Sequence, residues 1–156
     1  EHLFRWVDIA PEDRHIPNGA APDPVQEAER YEKLYWEIGP VDAQVLGIGS
    51  NGHIGFNEPG TPFDSVTHVV ELAEATRIAN APAFGSPEAV PRYAITLGIR
   101  NIMAAREIIL LAKGASKAEA IRRTLKETPT PEVPASVLQT HPNVIVLLDR
   151  EAAKLL

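Results

Sequence analysis

Apolar and polar positions fall into blocks along the chain, and the blocks change period. Ala43–Ile48, Glu107–Ala112 and Asn143–Leu148 are short apolar runs of strand length. Pro24–Ile38 places Val25, Ala28, Tyr31, Leu34 and Tyr35 at the three-and-four spacing of an amphipathic helix. Gly114-Ala115-Ser116-Lys117 opens the strongest helix, which is predicted to run to about Glu127. Thr67–Leu72 reads as a further short strand and Ala73–Asn80 as a short helical or irregular piece. Pro82–Pro91 reads as loop, and Tyr93–Leu97 as a strand or as the end of that loop, leading into a helical Ile99–Ala105. Glu1–Val7 is a strand or a helix end, Asp8–Pro24 a polar, proline-rich loop, Pro129–Pro134 a turn, Ala135–Gln139 a helical turn and Arg150–Leu156 a final helix. Strands alternating with helices predict an α/β fold: a Rossmann-like, doubly wound, mostly parallel sheet with helices on both faces.

Composition narrows the classes of partner. A chain of 156 residues with 44% hydrophobic and 23% charged residues is of ordinary globular make-up and has the length of one domain. A formal charge of −6 argues against general affinity for nucleic acid or an anionic membrane surface, either of which needs a basic face. A negatively charged small substrate stays open, because one local cation can outweigh a diffuse field. The absence of cysteine removes thiolate chemistry and disulfides and fits a cytoplasmic location. The longest apolar runs are far shorter than a membrane span, and no signal-peptide pattern is present.

The segment Gly47-Ile48-Gly49-Ser50-Asn51-Gly52-His53-Ile54-Gly55-Phe56-Asn57-Glu58-Pro59-Gly60 follows the first apolar run and is the candidate site. Glycines such as Gly49 and Gly52 let the backbone turn sharply and approach a ligand closely. His53 and Glu58 are the side chains there able to move or orient protons near neutral pH. Polar loops at the carboxyl ends of strands are where open α/β sheets bind ligands. Taken alone, His53 also fits a structural histidine, Glu58 a surface turn residue and Lys117 a solvated helix residue. His2, His15, His68 and His141 show no partner pattern and read as surface or capping residues, and Asp64 as the end of a turn. No cluster has metal-ligand spacing, so neither metal nor cofactor is called for.

This segment resembles the signature of glucosamine-6-phosphate deaminases, also called isomerases. The likeness continues through Phe4–Asp8, Asn18-Gly19-Ala20-Ala21-Pro22-Asp23, Thr76-Arg77-Ile78-Ala79-Asn80, Val90–Thr96, Gly114–Ala118 and Pro134-Ala135-Ser136 to His141-Pro142. The resemblance implies a single α/β sugar-phosphate domain over residues 1–156, matching the larger C-terminal part of such an enzyme and incomplete at its N-terminus. It implies conversion of glucosamine 6-phosphate and water to fructose 6-phosphate and ammonia in amino-sugar catabolism. His53 would open the sugar ring, oriented by Asn51, where many members carry aspartate, and by Glu58. The family's base for the proton at C2 is an aspartate outside this sequence. Lys117 would hold the phosphate, with helix-terminal N–H groups and the helix dipole converging on the anion. The family's arginine two residues after Asn80 is replaced by Pro82, which predicts a weaker phosphate grip or one supplied by another cation such as Arg77.

Two other functions compete. A 6-phosphogluconolactonase has a similar glycine-rich loop with Gly-His, but the continuation Phe56-Asn57-Glu58-Pro59 favours the deaminase. A sugar-phosphate-sensing domain of a transcription regulator would share the fold, yet needs no proton shuttle and would need a DNA-binding segment. The 156-residue chain by itself is expected to release no ammonia. Missing opening strands would leave an unpaired edge and exposed apolar surface that favour association, including a homo-oligomer.

Overall fold

The computed structural model describes residues 3–156, so Glu1 and the surface or capping role assigned to His2 lie outside the described residues. Residues 3–7 form turns rather than a strand or helix end, closed by Trp6 N–H donating to the Leu3 carbonyl. The Trp6 ring lies under the Arg5 guanidinium.

Helix α1 spans Pro24–Ile38, as its periodicity predicts. Asp23 caps it by accepting from Val25 and Gln26 N–H at 3.0 Å, and Pro24 loses nothing in the first turn, where N–H groups have no helical partner. Ala28 and Tyr35 face inward, and the Tyr35 hydroxyl donates to the Asn101 carbonyl at 2.7 Å. Val25 turns outward, a correction to its expected place on the apolar face. Glu32 takes bonds from Trp36 Nε1, Thr67 N–H and Asn101 Nδ2. Burial pushes its carboxyl up, but those bonds outweigh it and hold the pKa below the usual carboxylate range.

Strands β1 (Ala43–Gly47), β4 (Glu107–Ala112) and β5 (Val144–Leu148) form a parallel sheet in the order β1-β4-β5. Leu46, Ile108, Leu110 and Ala112 belong to its buried face, which packs with Ile99, Ile102, Ile121, Val137 and Leu138 into one core. Each fully buried side chain of this size adds roughly 1.5–3 kcal/mol of transfer free energy. Val45, Leu111, Ile145 and Leu147, on the opposite face, stay exposed, Val45 at 58%.

The α/β class expected from the alternation holds, with a parallel sheet flanked by helices. Two strands nevertheless leave that sheet: β2 (His68–Glu71) and β3 (Tyr93–Thr96) pair with each other antiparallel. Between them lies α2 (Glu74–Phe84), which runs past Pro82 into a segment read as loop. Pro82 sits in the last turns of α2, and Gly85, at φ 91°, ends the helix with its N–H on the Ala81 carbonyl. Helix α3 is only Ile99–Met103, shorter than expected. The helix expected from Gly114 divides into a 3-10 turn, Ala115–Lys117, and α4, Ala118–Lys126. A 3-10 segment fills Pro134–Thr140. The final helix expected at Arg150–Leu156 is instead a run of turns.

Gly98 makes the joint between β3 and α3. A Cβ there would lie 2.1 Å from the Ser65 carbonyl oxygen, which accepts from Arg100 N–H at 3.0 Å. Ser65 Oγ also accepts from Ile99 N–H, so this residue caps α3 from a separate loop. Gly98→Ala is expected to cost ~3 kcal/mol in denaturant unfolding of the full-length protein, because backbone rather than a flexible side chain must yield. A loss below ~0.5 kcal/mol would show that the Ser65 carbonyl moves freely.

Candidate active site

The chain leaves β1 at Gly47 and folds back at once. Gly52 N–H donates to the Gly49 carbonyl at 3.0 Å, and Gly49 N–H to the His53 carbonyl at 2.9 Å. Gly52 adopts φ +89°, and a Cβ there would also meet Val133 Cγ1 at 2.8 Å. The loop is anchored beneath by Asn57, fully buried, whose Nδ2 donates to the Ile54 and Leu97 carbonyls. Phe56 N–H donates to Thr96 Oγ1, and Ala135 N–H to the Gly52 carbonyl.

This scaffold lays the His53 imidazole flat against Gly49. A Cβ on Gly49 would stand 2.4 Å from ring atoms, so only glycine admits this ring position. His53 and Glu58 are both mostly buried, with Nδ1 and Oε2 3.4 Å apart. That separation permits Coulomb attraction but no aligned hydrogen bond, and Nδ1 has no hydrogen-bond partner. Glu58 is far from a surface turn residue. Its Oε2 accepts from Asn51 Nδ2 at 2.7 Å and its Oε1 from the Thr76 hydroxyl at 2.6 Å.

Burial lowers the His53 pKa below the ordinary histidine value. The Glu58 carboxylate opposes that shift and the Lys117 ammonium adds to it. The neutral form of the imidazole is thus favoured at a site that also presents a cation.

A cleft of about 210 Å³ opens over these groups, with Gly49, Asn51, His53, Thr76, Asn80 and Lys117 among its lining residues. Its polar side chains converge from three parts of the fold: the loop after β1, the start of α2 and the turn before α4. A larger groove of about 270 Å³ against α1 is lined by apolar side chains such as Leu34, Ile38 and Val41 together with Asp13, Arg14, His15 and Tyr31.

The residues predicted from sequence divide between cleft and support. His53, Asn51, Gly49 and Lys117 line the cleft, whereas Gly52 lies outside that lining and shapes the turn. Asn51 bonds the His53 backbone rather than its ring Nδ1: its Oδ1 accepts the His53 N–H at 3.2 Å while its amide holds Glu58. Lys117 ends the 3-10 turn before α4, and its own N–H is taken by the Gly114 carbonyl at 3.1 Å, so its ammonium rather than that N–H remains for an anion. Arg77 Nη2 donates to the Pro87 carbonyl, and Arg77 is not among the residues lining the cleft. Asp64 lies exposed in a turn, as read. Among the other histidines, His68 bonds the Val66 carbonyl, and His141 reaches the Ala105 carbonyl with Nε2, which are local capping roles.

Two supporting residues escaped the sequence reading. Thr76 is buried and bonds Glu58 from 18 positions away, a contact no spacing reveals. Asp149 accepts from Gly114 N–H with both oxygens at 3.0 Å, fixing the turn that carries Lys117. Bonds from Ala152 and Gly114 N–H hold its carboxyl below the usual range. Its position directly after β5 is the signal that finds it, because strand ends of a parallel sheet lie side by side.

The chain matches, over residues 1–146, the family model of glucosamine-6-phosphate isomerases/6-phosphogluconolactonase. A glucosamine-6-phosphate deaminase of Shouchella clausii is 55% identical over 153 residues, covering 98% of this chain and 62% of that protein. One of Streptococcus suis is 58% identical over 153 residues, covering 98% of this chain and 64% of that protein. The solved structure of a monomeric glucosamine-6-phosphate deaminase superimposes with a TM-score of 0.95 at 52% identity, covering 98% of this chain and 64% of that one. A 6-phosphogluconolactonase from Trypanosoma brucei follows at TM-score 0.65 and 27% identity, over 94% of this chain and 57% of that one. The chain thus spans under two thirds of the length of these relatives. With the loop after β1, its buried histidine and carboxylate and the facing lysine all in place, the chain belongs to the glucosamine-6-phosphate isomerase/6-phosphogluconolactonase family.

Proposed function

We propose that the protein carrying this chain is a glucosamine-6-phosphate deaminase, converting glucosamine 6-phosphate and water to fructose 6-phosphate and ammonia. The observation that carries the reading is a mostly buried imidazole with a lowered pKa in a cleft that also presents the Lys117 ammonium. Ring opening requires a proton to leave the anomeric hydroxyl and arrive at the ring oxygen. A neutral imidazole accepts the first and, as imidazolium, delivers the second from the same position. Lys117 supplies the charge for the substrate phosphate. Among the residues described as lining the cleft none is a carboxylate, so His53 and its partners account for ring opening and not for proton abstraction at C2.

A lactonase would also use a basic imidazole, to activate water. Identities of 55% and 58% to proteins named deaminases, against 27% to the trypanosomal lactonase, support the deaminase. Among the described residues no helix is long and apolar enough to cross a membrane, which agrees with an enzyme of the cytoplasm acting in amino-sugar breakdown.

In the full-length protein, His53→Gln should lower turnover on the closed sugar by roughly two to four orders of magnitude, the range of a general acid–base contribution. Near-normal turnover in that variant would remove His53 from the reaction. Lys117→Ala should raise KM for glucosamine 6-phosphate while leaving an unphosphorylated analogue almost unaffected. Equal losses on both compounds would give Lys117 a folding role in place of a phosphate contact.

A further inference from the structure

Threonine in a helix ordinarily returns its hydroxyl to its own backbone or caps the first turn. Thr76, in the first turn of α2 and only 4% exposed, does neither. Its hydroxyl crosses to Glu58 Oε1 at 2.6 Å, a charge-assisted bond of short length. Asn51 holds the other oxygen at 2.7 Å. Both carboxylate oxygens are therefore engaged from opposite sides while the His53 Nδ1 beside them has no hydrogen-bond partner, although it lies 3.4 Å from Oε2.

A carboxylate left to itself next to a buried imidazole nitrogen would close to an aligned bond of about 2.8 Å. Two other donors prevent it. We propose that Thr76 is a positioning residue: with Asn51 it clamps the Glu58 carboxylate at a stand-off from His53, near enough to attract the ring but unable to take a full hydrogen bond from Nδ1.

The clamp has a chemical purpose on the reading of His53 as the ring-opening base, on which this inference rests. A direct bond to a carboxylate would stabilise the imidazolium further and raise the ring's pKa. At a stand-off the carboxylate steadies the transient imidazolium without making it the resting state. The charged groups acting on His53 are Glu58 on its own loop, which favours protonation, and Lys117 before α4, which opposes it. Residues from α2 in the cleft are Ala75, Thr76, Ala79 and Asn80, none of them charged, so Thr76 acts on His53 only through Glu58.

The test compares Thr76→Val, which keeps the shape and loses the hydroxyl, with Thr76→Ser, which keeps the hydroxyl. The His53 ring is titrated by NMR in the full-length protein, alongside the pH profile of deamination. Thr76→Val should raise the His53 pKa and move the acid limb of kcat/KM to higher pH, with kcat reduced roughly 10-fold and KM little changed. Thr76→Ser should restore the wild-type titration and profile. An unchanged or lowered His53 pKa in Thr76→Val, or a serine variant as perturbed as the valine one, would overturn the clamp. If Thr76→Val unfolds, the serine variant decides, since a hydroxyl clamp requires it to titrate as wild type while Thr76→Ala does not. The titration needs no turnover. Absent deaminase activity in the wild type would defeat the functional reading, while the His53 shift would still judge the clamp.

Discussion

Three parallel strands that end at one level determine where the chemistry sits. Gly47 of β1 lies beside Leu111 of β4, and Leu111 beside Leu147 of β5. The chain therefore leaves all three strands at the same edge. From β1 comes the loop with Asn51, His53 and Glu58; from β4 the turn with Lys117; from β5 Asp149, which grips that turn at Gly114. A one-residue slip in the β1–β4 register would turn Leu46 out of the core as well as displace the loop, so the hydrophobic pattern and the site stand or fall together. The core residues Ile108 and Leu110 thus act on the site without approaching it.

Three effects compete at His53. Burial disfavours the charged ring, Lys117 repels the proton, and Glu58 attracts it. Burial is the largest, so the carboxylate fails to reverse the shift even at 3.4 Å. A short, aligned hydrogen bond would add more to the attraction than the contact at 3.4 Å does. Asn51 contributes here by being neutral: an aspartate at that position would set a second negative charge near the ring and against Glu58, whereas the amide donates to Glu58 and accepts from the His53 backbone with no net charge. The family's alternative of aspartate at this position therefore implies a different balance of the same forces.

Most of this was legible in the sequence because it is local. The apolar runs identified β1, β4 and β5, periodicity identified α1, and the polar glycine-rich loop identified the cleft. What stayed hidden depended on partners distant in the chain. Thr67–Leu72 and Tyr93–Leu97 look like any short strands, and nothing in either shows that they pair with each other rather than join the parallel sheet. Pro82 read as the start of a loop, yet a proline in the last turns of α2 disturbs few bonds. Arg150–Leu156 has helical composition yet forms turns, which its residues alone do not reveal. Thr76 and Asp149 are ordinary polar residues until the fold sets one against Glu58 and the other against Gly114. The family resemblance named Asn51 and Glu58 as the partners of His53, and it was silent on Thr76 and Asp149, which hold Glu58 and the turn before Lys117.

The way α2 is attached follows from the same geometry. It enters from β2 and leaves toward β3, which pair only with each other, so no ladder of hydrogen bonds joins that hairpin to the main sheet. Its ties to the sheet side of the molecule are side-chain and loop contacts: Thr76 to Glu58, Phe56 N–H to Thr96, and Asn57 to the Leu97 carbonyl. Two of the three run to the loop between Phe56 and Glu58, directly after His53, from the end of β3. The third is the bond that also fixes the carboxylate. A small movement of α2 relative to the sheet would therefore be felt first at Glu58, and through it at His53, while the core around Ile108 and Ile121 stayed as it is. One wall of the cleft is consequently tied to the Glu58 carboxylate beside His53 through the Thr76 hydroxyl.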